Sequence, residues 1–389
     1  MKAALFVLAA VGLISTAANA FPTMIRHGYT GCAACHTDPS GGTLLTEYGR
    51  AQSELLLSTR WGAAKEAEPS AASKFLLGAV SPPEALTLGG WVRQGYIWNV
   101  VDGKLVDHRE LQMRTSLAAA LRLGPLRAEG ELGYASANSQ TQLAQVTHNQ
   151  DGANLVSRQH WVGLAFADDA GLVRAGRINI PFGLRNPEHT SFVRAATLTD
   201  INQDQQDGVA VSITKDSWRA EVMAILGNYS LRPDAFRERG LAGYAEAALS
   251  STVAVGVSAL ATRADSALDT RAPALRQAYG LTARAALWKP LVLTAEIDAL
   301  LSSLLGRGIV HTGLAGWLQE DLEVLQGLHL ISALERLSPT DGSAAQLGWW
   351  GGLEWFPYPH LDVRADVIRN SSMSSPTTNT FLIQVNLYL

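Results

Sequence analysis

From Leu86 to the C-terminus, apolar residues alternate with polar or small ones over stretches of about ten residues, the period of a strand with one apolar face. In Leu361-Asp362-Val363-Arg364-Ala365-Asp366-Val367 one face is aliphatic and the other charged, and residues 291–299 repeat the pattern with Glu296 and Asp298 on the polar side. The alternation predicts strands near 86–98, 106–122, 126–135, 157–167, 171–179, 207–214, 217–227 and 240–249. Eight more follow near 252–263, 276–287, 291–300, 308–318, 323–336, 345–356, 360–369 and 379–389. Tight junctions (Gly124-Pro125, 168–170, Lys215-Asp216, Ser250-Ser251, 288–290, 319–321 and 356–359) alternate with longer polar ones at 136–156, 180–206, 228–239, 264–275 and 370–378.

Short turns at one end and long loops at the other, joining an even number of strands, are the pattern of a membrane-spanning β-barrel. Aromatic residues near strand ends (Trp91, Trp98, Trp161, Trp349, Trp350, Trp355, Tyr358) fit interfacial girdles. The last strand alternates through Phe381, Ile383, Val385 and Leu387 to Leu389. The expected fold is all-β, a 16-stranded antiparallel outer-membrane β-barrel, with aliphatics toward lipid and charges toward a water-filled interior. A soluble sandwich of similar strand count would need a second layer over the apolar positions.

Composition supports this reading. The 389 residues are 47% hydrophobic but only 17% charged, below the roughly one quarter usual for soluble proteins, and mean hydropathy is +0.06. A helical membrane protein would need apolar runs of about 18–20 residues, and none occurs beyond the extreme N-terminus. A net charge of −4 leaves no electrostatic footprint for nucleic acid.

Met1 to Ala20 reads as a cleaved signal peptide: Lys2, an apolar stretch to Ile14, then Ala18-Asn19-Ala20 before Phe21. An N-terminal anchor is the other reading. Residues 21–61 form a small, mostly helical and loop segment, with a helix expected from Leu44 to about Thr59. Residues 62–85 read as a linker and 86–389 as the barrel. The two cysteines of the chain stand in Cys32-Ala33-Ala34-Cys35-His36. That spacing places two thiols to form thioethers with the haem vinyl groups and the adjacent histidine to ligate the iron, the c-type haem attachment signal. A redox dithiol would sit in a βαβ context, and a zinc half-site would need a second ligand pair. One covalent haem c is therefore expected. Its sixth ligand is left open between His27, Met24, an empty position and a more distant residue. Arg50 is either a partner for a haem propionate or a plain surface arginine.

Residues 180–206 form the longest loop and hold Arg185, Glu188, His189, Arg194, Asp200 and Asp204, with Asp207 just beyond. As the third external loop it either folds inward as a constriction or stays outside. Inward carboxylates such as Asp298, Glu296, Asp362 and Asp366 either attract metal cations or keep a pore wet.

Pro22, Arg26, Gly31, Cys32, Cys35, His36, Pro39, Leu45, Thr46, Tyr48, Gly49 and Arg50 follow a pattern in which Cys-x-x-Cys-His and a proline precede a Leu-Thr-x-aromatic-Gly-Arg run. On these residues, over about thirty positions, the chain resembles the fused outer-membrane cytochrome–porin family, which includes iron oxidases. Gly176 to Gly183 also looks porin-like. The resemblance implies electron transfer across the outer membrane by one haem, held in the periplasm or the barrel lumen. Its partners would be outer-membrane lipid, a periplasmic cytochrome or other carrier, and an extracellular donor or acceptor such as Fe(II). The alternatives are a porin for small ions with a haem-bearing plug or redox gate, and a haem sensor or peroxidase.

Overall fold

The structure, a computed structural model, describes residues 22–42, 44–61, 68–136, 153–186, 188, 190–268, 270–305 and 309–389. The leader, linker residues 62–67, the junction 137–152 and His189 lie outside them. Seventeen strand segments make one antiparallel sheet. They are β1 Leu86–Val101, β2 Lys104–Leu123, β3 Leu126–Ser136, β4 Ala153–Val156, β5 His160–Phe166, β6 Gly171–Ile178, β7 Gln206–Thr214, β8 Trp218–Gly227 and β9 Arg239–Ser250. The series continues with β10 Val253–Ala264, β11 Ala274–Trp288, β12 Leu291–Leu304, β13 Ile309–Leu325, β14 Leu328–Ser338, β15 Gln346–Tyr358, β16 Leu361–Ser372 and β17 Thr378–Tyr388. Segments β4 and β5 both pair with β3, on either side of Ser157-Arg158-Gln159, so they are halves of one interrupted strand. Because β1 pairs with both β2 and β17, the sheet closes into a barrel of sixteen staves.

The predicted alternation sets the two faces. On β12, Thr294, Glu296 and Asp298 are buried inside, whereas Ile297 is exposed outside. Leu117, Val162, Leu241 and Leu281 stand outward and exposed on other staves, as a lipid-facing band requires. The first hairpin turns on Asp102-Gly103, both at positive φ, a conformation whose twist matches that of the paired strands.

Three expectations change. The polar run 319–321 is strand, not turn: β13 continues to Leu325 and the chain reverses at Gln326-Gly327. Gln319 and Asp321 are polar because they face the lumen, where they are buried. Trp161 and Trp350 likewise point inward, 4% and 5% exposed, while Trp349 and Tyr358 remain outside. Finally, the lumen is filled rather than an open aqueous bore. Ile180, Phe182 and Val193 pack there with Trp161, Met223, Leu260, Trp317 and Trp350 in one apolar cluster.

Two segments fill it. The loop between β6 and β7 folds inward, with a short helix α2, Phe192–Thr197. Arg194 of α2 pairs with Glu296, and Glu188 pairs with Arg364 at 2.6 Å. The N-terminal residues 22–61 occupy the rim of tight turns. They touch the wall around the ring: Arg26 pairs with Asp321, Thr30 accepts from Arg284 at 2.6 Å, Asp38 pairs with Arg174 at 2.8 Å, and Ser53 meets the Tyr388 hydroxyl at 2.9 Å. Plug and loop also meet each other, since Arg185 donates to the Ser40 carbonyl at 2.6 Å.

Two predictions follow from this packing. Leu281→Arg puts a cation near the middle of the lipid face of β11 and should destabilise the bilayer-folded barrel by about 2–4 kcal/mol, measured by denaturant unfolding in lipid vesicles; Leu281→Phe should cost little. Arg174→Met strands the fully buried Asp38 carboxylate, and breaking such a pair costs about 3–5 kcal/mol. Proteolysis within residues 22–61 of the folded barrel should then accelerate and ion current through planar bilayers rise. Unchanged protection and current would show that the seal does not depend on this pair.

Candidate functional site

The N-terminal segment is built around the Cys32–His36 turn. The His36 amide donates to the Cys32 carbonyl at 3.0 Å and the Cys35 amide to the same oxygen at 3.2 Å, so the backbone coils as the cysteine spacing predicts. The helix α1, Glu47–Gln52, continues as a wider turn through Ser53–Leu57, matching the expected helix in place. Thr46 joins the two pieces. Its amide donates to the Cys35 carbonyl at 2.9 Å and its hydroxyl to the Ala34 carbonyl at 2.7 Å, while the same hydroxyl oxygen caps α1 by accepting from the Gly49 amide at 3.0 Å. Gly49 is required by close approach, for a Cβ there would lie 2.3 Å from the Cys35 carbonyl oxygen. The Thr-x-x-Gly spacing noted in the sequence is therefore a clamp on the cysteine turn.

Cys35 and His36 open onto a cavity of about 970 Å³ between the plug and strands β1, β15, β16 and β17. Met24, Leu45, Leu57, Trp91 and Phe356 give it an apolar lining, and Arg93, Arg364, Glu354, Asp362, Gln384 and Asn386 a polar one of both signs. Cys32 lies on an adjoining cavity of about 440 Å³ with Arg219, Tyr244 and Arg284, and Gly42 lines both spaces. Arg219 donates to the Cys32 sulfur at 2.8 Å. Burial pushes the Cys35 thiol up to about 12 and keeps it protonated, and burial lowers His36 to about 4, keeping its imidazole neutral and able to ligate a metal. The His36 Nδ1 is buried without a hydrogen-bond partner.

The other predicted residues fall elsewhere. Arg50 is 4% exposed, donates to the Leu88 carbonyl and stacks over Phe75 at 5.8 Å, so it ties α1 to the start of β1 instead of facing the cavity. The arginine at the cavity beside β17 is Arg93, whose Nε donates to Gln384 at 3.0 Å; its inward position on the first predicted strand was the available signal. His27 does not line the cavity either. Burial lowers it to about 4, with Arg26, Lys289 and His329 adding to the effect, which places it toward the turn after β11. Met24 is the candidate that shares the cavity with Cys35 and His36. Three of the lumen carboxylates are engaged, Glu296 with Arg194, Asp366 with Arg364 at 2.9 Å and Asp362 with the Asn386 amide at 2.8 Å, while both oxygens of Asp298 are buried beside Glu296 without a hydrogen-bond partner. Among the described residues, no group of three or more His, Cys, Asp or Glu could hold a metal ion.

No family model matches the sequence, and no curated protein matches it. Solved structures do match the fold. A loop L8 deletion mutant of OmpT, an outer membrane protein of Vibrio cholerae, aligns with a TM-score of 0.61 at 14% identity, over 78% of this chain and 99% of that one. The anion-selective porin from Comamonas acidovorans gives 0.58 at 12% identity, over 78% and 99%. The outer membrane channel DcaP of Acinetobacter baumannii gives 0.55 at 13% identity, over 78% and 97%. The chain thus has the closed 16-stranded antiparallel barrel of outer-membrane porins, preceded by a short helical and loop segment.

Proposed function

We propose that this chain is an outer-membrane electron-transfer protein: one haem c, held on Cys32 and Cys35 with His36 as proximal ligand, carries electrons between an extracellular donor and a periplasmic carrier. The observation behind this reading is the place of the cysteine turn, which sits inside a closed barrel, with Cys35 and His36 on a cavity between the plug and the barrel's closing seam. The residues fit the group: two thiols one turn apart, a buried histidine beside them, and a cavity lined by apolar side chains together with Arg93 and Arg364, with Glu354 and Asp362 as the acidic members of the lining. When bound, haem would supply one-electron exchange at a potential tuned by its axial ligand, burial and hydrogen bonds.

The chain's own residues would do the rest. Thr46 and Gly49 hold the cysteine turn, and the ion pairs of Arg26 and Asp38 with the wall fix its place in the ring. The plug and the barrel's last residue lie at the rim of tight turns, so that rim would face the periplasm and the loops the outside. A bilayer core of about 30 Å is too thick for one direct transfer between partners on its two sides, and a redox centre within the lumen would shorten each transfer. Ferrous iron is the proposed donor, held transiently by oxygen ligands.

A second reading, favoured by the likeness to channels, is a porin for small ions whose N-terminal plug gates the bore. The two separate in one set of measurements on the outer-membrane fraction. We expect a covalent haem stain, reduction by externally added ferrous salt, and little steady ion current. Cys35→Ser should abolish the stain while the barrel keeps its heat-modifiable migration. Steady ion current with no haem reduction would overturn the electron-transfer reading in favour of the porin.

A further inference from the structure

We infer that Met24, rather than His27, is the residue of this chain that would complete the axial coordination opposite His36. This inference rests on the proposal that Cys32 and Cys35 carry a haem. The two candidates belong to one 3₁₀ turn, Pro22–His27. With three residues per turn and about 2 Å of rise per residue, positions 24 and 27 fall on the same side of that turn but about 6 Å apart along its axis. Spacing in the sequence therefore cannot choose between them, whereas position along the lumen can.

The wall fixes that position. Ile25 is fully buried and packs against Ala254, Ala286 and Val292. Arg26 is held by its ion pair to Asp321 and by the Pro290 carbonyl at 3.3 Å. The Tyr29 amide closes the turn by donating to the Met24 carbonyl at 3.3 Å. With 25 and 26 pinned to the wall, Met24 is 4% exposed and lines the space that Cys35 and His36 line. His27 sits one turn along, toward Lys289 and His329. A buried methionine has no charged task to perform on this cavity, and its thioether is a soft donor suited to haem iron. Methionine and histidine together hold the potential higher than two histidines do, which suits acceptance of electrons from a weak reductant.

The test uses the full chain purified from outer membranes, with covalent haem stain, ferric and ferrous absorption spectra, electron paramagnetic resonance and redox titration. The wild type should show a low-spin ferric haem with the long-wavelength sulfur-to-iron charge-transfer band of methionine–histidine ligation. Met24→Ala should lose that band, become high-spin and drop in potential while still staining for haem. Met24→His should restore a low-spin spectrum of the bis-histidine type, showing that the variant folds and that position 24 reaches the iron. His27→Ala should leave band and potential unchanged. A stained protein whose spectrum is bis-histidine in the wild type, or is altered by His27→Ala and not by Met24→Ala, overturns this inference alone. Absence of haem stain from the wild type overturns both the inference and the reading beneath it.

Discussion

Inside hydrocarbon a backbone amide without a partner costs several kcal/mol, so a sheet that crosses a membrane must have no free edge. In this chain that requirement is met where β1 pairs with β17 along Trp91 to Val101 while its other edge pairs with β2. Closure turns a linear alternation of residues into two surfaces of different chemistry. It also encloses a space that the chain then fills with parts of itself. The same seam supplies Trp91, Arg93, Gln384 and Asn386 to the cavity beside Cys35 and His36, so closure and the candidate site are one construction.

The filling of the lumen follows from charge as much as from shape. An arginine or carboxylate buried in the bore needs a partner of opposite sign, and the partners come from different parts of the chain. Asp38 of the plug meets Arg174 of β6, which in turn meets Glu221 of β8 at 2.5 Å. Glu221 also takes Arg185 of the inward loop at 3.1 Å, and Glu246 bridges Arg219 and Arg284. Plug, loop and wall are therefore cross-linked by one set of charges, and this distinguishes the interior from an open bore despite the barrel it shares with porins.

Much of this was legible in the chain. The alternation in residues 291–299 and 361–367 gave the correct faces, and most of the expected junctions among the described residues fell where turns or loops occur. The error at 319–321 is instructive: three consecutive polar residues read as a turn because Gln319 and Asp321 are polar for the sake of the lumen. The mistaken girdle positions of Trp161 and Trp350 have a similar origin. An aromatic near a strand end satisfies either surface, and the inner one became apolar only because the loop carrying Phe182 and Val193 folded into it. Arg50 was open between an anionic ligand and the surface, yet it is buried against the Leu88 carbonyl, and nothing local to residue 50 announces β1 as its neighbour.

By itself, the sequence determined the strand period, the even number of staves, the alternation of short and long connections, and the coiling of the Cys32–His36 turn. Each depends on residues within one strand or one turn of each other, where covalent geometry dictates what faces what. Tertiary structure decided that the N-terminal segment lies within the ring, that the third loop folds into the bore, that Arg93 rather than Arg50 lines the cavity, and that Met24 rather than His27 shares it with His36. These depend on depth along the barrel and on pairs such as Arg26 and Asp321, hundreds of residues apart. Periodicity specifies a face, and depth is specified only when the ring has closed around its contents.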